Sequence, residues 1–341
     1  MNDTIRLRQN QILSLLADKS LSREKITAKL PGFSRITVIR DLNSLEKAGL
    51  VRKEGKGPAV KYISLQNPLL RVFDTESYFS ADPAIRLSAQ TGFNSKIFDY
   101  FLKLPEEELN LKRLSDQERK LDPTIFKREI ERFTIEFSWK SSRIEGNTYS
   151  LLETEILIKQ AKEAFGHSQY EATMILNHKR AMDFILQNRS YFKELSVVKI
   201  IKLHGLLTGD LEITSGLRRD PVAITGTNYI PPSNRDVLKK FLEKTVEIIN
   251  LITSPVLKAM TAGCMIPYLQ PFVDGNKRIG RTLTNAILIA NDLYPLSYRD
   301  TLETDYVKAM ILFYEQNSLH LFRKIFLSQI NFSLQNYFRT N

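Results

Sequence analysis

The segment Leu269-Gln270-Pro271-Phe272-Val273-Asp274-Gly275-Asn276-Lys277-Arg278-Ile279-Gly280-Arg281 gathers an acid, two amides, two glycines and three cations. An apolar helix ends near Tyr268, a loop of Pro, Asp, Gly and Asn follows, and an apolar helical run resumes from Ile279 through Ala290. A glycine-containing loop at a helix N-terminus offers free backbone N–H groups and a dipole that favours an anion. Arg278 and Arg281, three residues apart, share a helix face and could grip one polyphosphate with both guanidinium forks. Asp274, at the loop mouth, is a hard oxygen ligand suited to a Mg²⁺ already held by phosphates. The physics gives a magnesium–nucleotide site; a capped helix with a basic face would not need Asp, Gly, Asn and three cations together.

The elements that position this segment belong to a chain of 341 residues, long enough for two or three domains. An apolar fraction of 43% supports real cores, and 26% charged residues a solvated surface. The single cysteine, Cys264, excludes an internal disulfide framework and a cysteine-based metal cluster. The start has no apolar leader and no apolar run reaches membrane-spanning length, so a cytoplasmic protein that does not engage a membrane is expected. The formal charge is +11, and residues 1–66, with 13 Lys/Arg against 6 Asp/Glu, hold +7 of it. Basic charge gathered in one module is an electrostatic footprint for nucleic acid.

Three helical patterns fill the first fifty residues. Ile5, Leu7, Ile12, Leu13, Leu15 and Leu16 form the first stripe, and Ser22 caps a second helix carrying Ile26 and Leu30 that ends at Pro31-Gly32. Ser34 caps a third, with Val38, Leu42 and Leu45 inward until Gly49. Leu50–Lys53 and Val60–Ile63 read as strands around a turn at residues 54–58. This layout resembles the winged helix-turn-helix of bacterial transcriptional regulators. The resemblance implies duplex DNA as partner, with Arg35, Thr37 and Arg40 toward the major groove and Lys53, Lys56 and Lys61 on phosphates; protein docking is the alternative use of such modules.

Residues 67–85 read as a linker with little regular pattern, and residues 86–190 as a series of helices, with the charged stretch 104–122 as an exposed connection or solvated helix. Residues 191–341 complete the core. Within it, Gly216-Leu217-Arg218-Arg219, Val222-Ala223-Ile224-Thr225-Gly226 and Tyr229-Ile230-Pro231-Pro232 read as two short strands around a turn. Ser141-Ser142-Arg143-Ile144-Glu145-Gly146-Asn147 alone reads as a helix C-terminus at Gly146.

Residues 270–281 resemble the motif of the Fic family, His-x-Phe-x-Asp/Glu-Gly-Asn-Gly/Lys-Arg-x-x-Arg, at every defined position except the first. The resemblance extends over residues 86–320. It implies a mainly α fold, a helical Fic core with a short β-hairpin flap at 216–232, behind the winged-helix domain. The activity it implies is AMP transfer from ATP, with Mg²⁺, to a Ser, Thr or Tyr hydroxyl of a protein, this chain itself included; a homodimer is left open. In that scheme Asp274 holds Mg²⁺, Gly275 and Asn276 form an anion hole, and Lys277, Arg278 and Arg281 line the nucleotide. Phe272 buries its ring beneath the loop. Val222, Ile224, Gly226 and Tyr229 lie on a flap that pairs with the target backbone. Ser141, Glu145 and Gly146 match the family's inhibitory motif, whose glutamate takes the second arginine, here Arg281, from the γ-phosphate.

Gln270 departs from that pattern. The family's histidine acts as general base; a Gln amide hydrogen-bonds but takes no proton near neutral pH, and general-base catalysis supplies about 10²–10⁴-fold. His167, His178, His204 and His320 lie outside the motif and are expected at the surface or core edge. Three readings stay open: an AMP-transferring scaffold impaired at Gln270, a catalytically silent ATP-sensing DNA-associated regulator, and Doc-like phosphate transfer. Lys277 resembles that last branch and Arg281 argues against it.

Overall fold

The computed structural model describes residues 3–16, 20–105 and 111–339; the Leu7 side chain and residues 106–110 of the charged stretch lie outside the described residues. The chain divides into two compact units. The smaller joins residues 1–91 to 225–229 and 311–320; the larger holds 92–224, 230–310 and 321–341.

In the smaller unit, α1 (Asp3–Leu15), β1 (Leu21–Ser22), α2 (Arg23–Ala28), α3 (Arg35–Lys47), β2 (Val51–Glu54) and β3 (Lys61–Ser64) follow in order. Ser22 accepts from the Lys25 N–H and Ser34 from the Thr37 N–H, so both expected caps are made. Ile12, Leu16, Ile26, Val38 and Leu42 close the core beneath an antiparallel sheet ordered β1-β3-β2. Strand β1 went unread in the sequence because it is two residues long; its place is fixed by pairing with Lys61 and Tyr62.

The expected linker is ordered instead. Asn67 caps a 3₁₀ turn at Pro68–Leu70, and Asp74 accepts from the Glu76 and Ser77 N–H groups to start α4 (Thr75–Ser80). Leu69 and Arg71 are buried, so this stretch packs as part of the unit.

The larger unit is helical: α5 (Ile97–Leu102), α6 (Leu114–Lys120), α7 (Pro123–Arg143), α8 (Leu151–Gln160), α9 (Gln169–Gln187), α10 (Val197–Thr208), α11 (Arg235–Leu251), α12 (Pro255–Leu269) and α13 (Asn276–Ala290). Then come α14 (Glu303–Gln316), divided between the units, and α15 (His320–Asn336). Among the described residues of the charged stretch, α6 is docked rather than solvated: Leu114 is buried, and the Ser115 N–H and hydroxyl both donate to Asp292. No helix among the described residues is long and apolar enough to cross a membrane.

Helices α12 and α13 form an antiparallel hairpin at the centre of this unit, and α13 is buried on every side from Arg278 to Ile289. They approach closely because Gly263 and Gly280 face each other. A Cβ on Gly280 would meet the Gly263 carbonyl at 2.8 Å, and one on Gly263 would meet the Thr284 hydroxyl at 2.6 Å. Pro267 lacks the N–H that would bond back along α12.

The expected β-hairpin flap is not formed. Residues 216–232 hold no strand, only an isolated bridge from Ile230 to Gly92. Pro221, Pro231 and Pro232 remove ladder donors, and Arg218 draws in the carbonyls of Asp220 and Pro232.

Candidate functional site

Ser254 caps α12 with Pro255 at its first position, and the helix runs to Leu269. Gln270 then turns left-handed, at φ 50° and ψ 57°, while its N–H donates to the Ile266 carbonyl at 3.0 Å. This backbone costs a non-glycine residue on the order of 1 kcal/mol, and the side chain holds it in place. Gln270 Nε2 donates to the Pro267 carbonyl at 2.7 Å, and Oε1 accepts from Asn276 Nδ2 at 2.8 Å. Asn276 Nδ2 also donates to the Phe272 carbonyl, and Asn276 Oδ1 accepts from the Phe272 N–H. The loop is therefore tied around the Gln270–Asn276 pair, and both amides are spent on it.

Phe272 is fully buried as expected, stacked on His204 with ring centroids 3.8 Å apart. His204 Nε2–H donates to the Asp274 carbonyl at 3.0 Å, which fixes the tautomer. Burial holds this imidazole below its ordinary pKa, against the pull of the Asp274 carbonyl. Asp274 accepts from the Gly275 N–H through one oxygen and from Arg278 Nη2 at 2.7 Å through the other. Gly275 opens α13 at φ 82°, with no side-chain cap, and the first intrahelical bond runs from the Ile279 N–H to its carbonyl. The N–H groups of Asn276, Lys277 and Arg278 precede that bond and have no intrahelical acceptor, an arrangement that favours an anion.

Arg281 is wholly buried. Its Nε donates to the Ser141 hydroxyl at 3.0 Å, and Nη2 donates to the Ser141 carbonyl at 2.9 Å and to Glu145 Oε1 at 2.7 Å. Its guanidinium lies 4.9 Å from the ring centroid of Tyr306. The other Glu145 oxygen pairs with Lys277 Nζ at 3.2 Å. Burial alone would raise the Glu145 carboxyl, but Arg281, then Lys277, outweigh it and bring it down to about 2. Glu145 reaches this place because α7 stops at Arg143 and the chain turns at Gly146, φ 92°, as the sequence led one to expect.

Arg278 is 1% exposed, and its Nε and Nη1, like Arg281 Nη1, find no acceptor among the described residues. Buried cationic N–H groups without acceptors are uncommon and costly. Three such groups beside an uncapped helix N-terminus suit a polyanion.

The structure thus brings together Gln270, Asp274, Gly275, Asn276, Lys277, Arg278 and Arg281 with Ser141, Glu145 and Gly146. Asn276 differs from the expected anion-hole donor: its amide is consumed by the loop, leaving its backbone N–H. Of the flap residues, Val222 and Ile224 are half-buried in the larger unit, while Gly226 and Tyr229 belong to the smaller, with Tyr229 buried. Arg35, Arg40 and Lys56 are exposed. The Thr37 hydroxyl is engaged with Ser34, and Lys53 pairs with Glu46 at 2.5 Å.

Four residues escaped the sequence reading. His178 and His204 were expected at the surface or core edge, and both are fully buried. His178 Nδ1–H donates to the Met174 carbonyl at 2.9 Å, and burial lowers its pKa to about 3, so it is neutral beneath the arginines. Arg218 donates through Nε to the Gln270 carbonyl at 2.6 Å, and its N–H to the Pro271 carbonyl at 3.1 Å, tying the flap base to the motif loop. Tyr306 covers Arg281. No spacing rule links these positions to residues 270–281; only the apolar flank of His204 on α10 hinted at burial.

The buried α12–α13 hairpin, as far as Leu288, and its loop lie within residues 194–288, which match the model of the Fic/DOC family. In sequence the chain is similar to the protein adenylyltransferase Fic of Nematostella vectensis, 26% identical over 188 residues, covering 53% of this chain and 43% of that protein. It is similar also to the protein adenylyltransferase Fic of Drosophila erecta, 30% identical over 156 residues, covering 44% and 31%. The chain thus spans less than half the length of these curated relatives. Its fold resembles Fic-1 (residues 134–508) from C. elegans, with TM-score 0.55, 20% identity, and 71% and 70% of the two chains covered. A Fic domain containing signaling protein from Bacteroides thetaiotaomicron gives TM-score 0.51 at 22% identity, covering 66% and 91%. At such identities the structural likeness speaks for the fold.

Proposed function

We propose that the chain is a protein adenylyltransferase scaffold, held off by Glu145 and short of a base at Gln270. The observation that carries this reading is the pair of buried guanidinium groups at the N-terminus of α13, with unsatisfied N–H groups on Arg278 and Arg281. ATP fits as substrate: the N–H groups of residues 276–278 and the two arginines supply donors for its phosphates. Mg²⁺ fits as cofactor through Asp274, half-exposed at the loop mouth. The described residues hold no cluster of three acidic, histidine or cysteine ligands, so the ion would rely on phosphate oxygens for its remaining contacts. When bound, Mg²⁺ supplies neutralisation of phosphate charge. Arg278 would leave Asp274 and turn its free N–H groups to the phosphates, and Arg281 would exchange Glu145 for the γ-phosphate.

In the transfer a target hydroxyl oxygen forms a bond to the α-phosphorus as the bond to pyrophosphate breaks, and the hydroxyl proton must go to a base. Gln270 cannot accept it, since its amide is neutral and committed to Pro267 and Asn276. That commitment favours a second reading, an ATP-responsive regulator without turnover. The basic N-terminal unit is proposed to be a winged helix on duplex DNA, through Arg35, Arg40 and Lys56; salt-insensitive binding to mixed duplexes, or none, would refute this.

The test is label from the α-phosphate of ATP appearing on protein. Gln270→His with Glu145→Gly should label at least tenfold faster than either single change, and the unaltered chain only at background. A double variant that binds ATP yet stays unlabelled would favour the regulator.

A further inference from the structure

Arg218 is buried, 2% exposed, and its fork reaches three backbone carbonyls. Nε donates to Gln270 at 2.6 Å, Nη1 to Asp220 at 2.7 Å and Nη2 to Pro232. Its own N–H donates to the Pro271 carbonyl at 3.1 Å. All of these residues lie in the larger unit. Asp220 and Pro232 bracket the segment between α10 and α11, while Gln270 and Pro271 open the motif loop, so one planar group fastens the two stretches to each other. Bonds from a guanidinium to carbonyls are charge-assisted, and the rigid fork fixes their directions. Just past the joint, among the described residues, no hydrogen bond engages the backbone of Val222, Ala223 or Ile224. Val222 and Ile224 are half-buried and Ala223 is exposed between them. An unpaired run of N–H and C=O groups is a template on which another backbone can pair.

We infer that Arg218 is a positioning residue for the transfer: it sets the open backbone at 222–224 against residue 270, so that a hydroxyl carried by a paired target meets the group at position 270. The joint acts at both ends. On one side it holds the Asp220 carbonyl, two residues before Val222. On the other it holds the carbonyl of Gln270, the residue whose left-handed backbone decides where its side chain points. A lysine would keep the charge, but a compact ammonium on a flexible stem does not fix three carbonyls in one plane. The role therefore belongs to the fork and not to the charge alone. The inference rests on the reading of residues 216–232 as the target-holding segment.

The experiment uses the full chain with Gln270→His and Glu145→Gly as parent, and compares Arg218→Lys and Arg218→Gln with it. Both should lower kcat for self-labelling by α-labelled ATP about tenfold or more, the scale of a misplaced reacting group, with KM for ATP unchanged. Amide hydrogen exchange at residues 218 and 270–272 should rise in both, while the interiors of α12 and α13 stay as protected as in the parent. Parental kcat in both variants overturns the positioning role and leaves AMP transfer standing. Full kcat in Arg218→Lys alone overturns the role of the fork. Exchange that rises throughout α12 and α13 also overturns the inference, since Arg218 then serves only stability. If the parent never labels, the transfer reading falls by itself, and exchange in Arg218→Lys of the otherwise unaltered chain decides the joint: faster at 218 and 270–272 supports it, and no change overturns it.

Discussion

Glu145 and Glu315 each give a buried arginine its carboxylate, yet the two pairs are built for different ends. Glu315 is sealed, and its donors come from the Tyr78 phenol, Arg86 and Thr227, all within one compact unit. Glu145 is 14% exposed at a turn and shares its second oxygen with Lys277, whose side chain is 32% exposed. Arg281 would keep the Ser141 hydroxyl and carbonyl if Glu145 left. Among the described residues, Arg86 would keep the Tyr78 and Phe79 rings and one long hydrogen bond, to the Gly226 carbonyl, but no carboxylate if Glu315 were removed. A carboxylate at the rim, on an arginine with other acceptors, can be exchanged for another anion; one enclosed on all sides serves as a rivet.

The largest expected effect follows from that asymmetry. Glu315→Ala leaves Arg86 charged and buried, and should cost about 3–5 kcal/mol in denaturant unfolding. Glu145→Gln should cost less, about 1.5–3 kcal/mol, because Arg281 keeps the Ser141 acceptors. Equal losses would erase the distinction. A smaller effect concerns acid. Because the folded Glu145 carboxyl titrates near 2 against an ordinary 4.5, its contribution is present above about pH 4.5 and fades as pH falls toward 2. The full contribution is on the order of 3 kcal/mol. Comparing wild type with Glu145→Gln between pH 5 and 2.5 should show the two stabilities converging; parallel curves would mean the pair is not coupled to folding.

What the sequence disclosed followed the same division between local and distant causes. The motif loop was legible because its parts are contiguous: the end of α12, the Asp-Gly-Asn turn and the start of α13 lie within thirteen residues. The Ser22 and Ser34 caps were legible for that reason too. The pairing of Glu145 with Arg281 was suggested by resemblance, and the geometry brings the two residues to 2.7 Å. The flap misled because alternating Val222 and Ile224 suggest strands, while the prolines and Arg218 redirect the backbone. Segment 67–85 misled because partners more than 200 residues away hold it: Leu319 and Ser318 donate to the Leu69 and Arg71 carbonyls, and Glu315 accepts from Tyr78. His204 and His178 were unreadable for want of any local mark; their neutrality comes from burial against Phe272 and beneath the arginines.

A nucleotide's phosphates and the Glu145 carboxylate are proposed to compete for Arg281 at the head of α13. Calorimetry of ATP with Mg²⁺ on the full chain addresses this directly. Glu145→Gly should bind about tenfold or more tightly than the unaltered chain, since the exchanged charge-assisted bond is worth about 1.5–3 kcal/mol. Arg278→Ala and Arg281→Ala should both bind more weakly, with Arg281→Ala cancelling the gain from Glu145→Gly. The same affinity in all of these chains would mean that the phosphates do not meet Arg281.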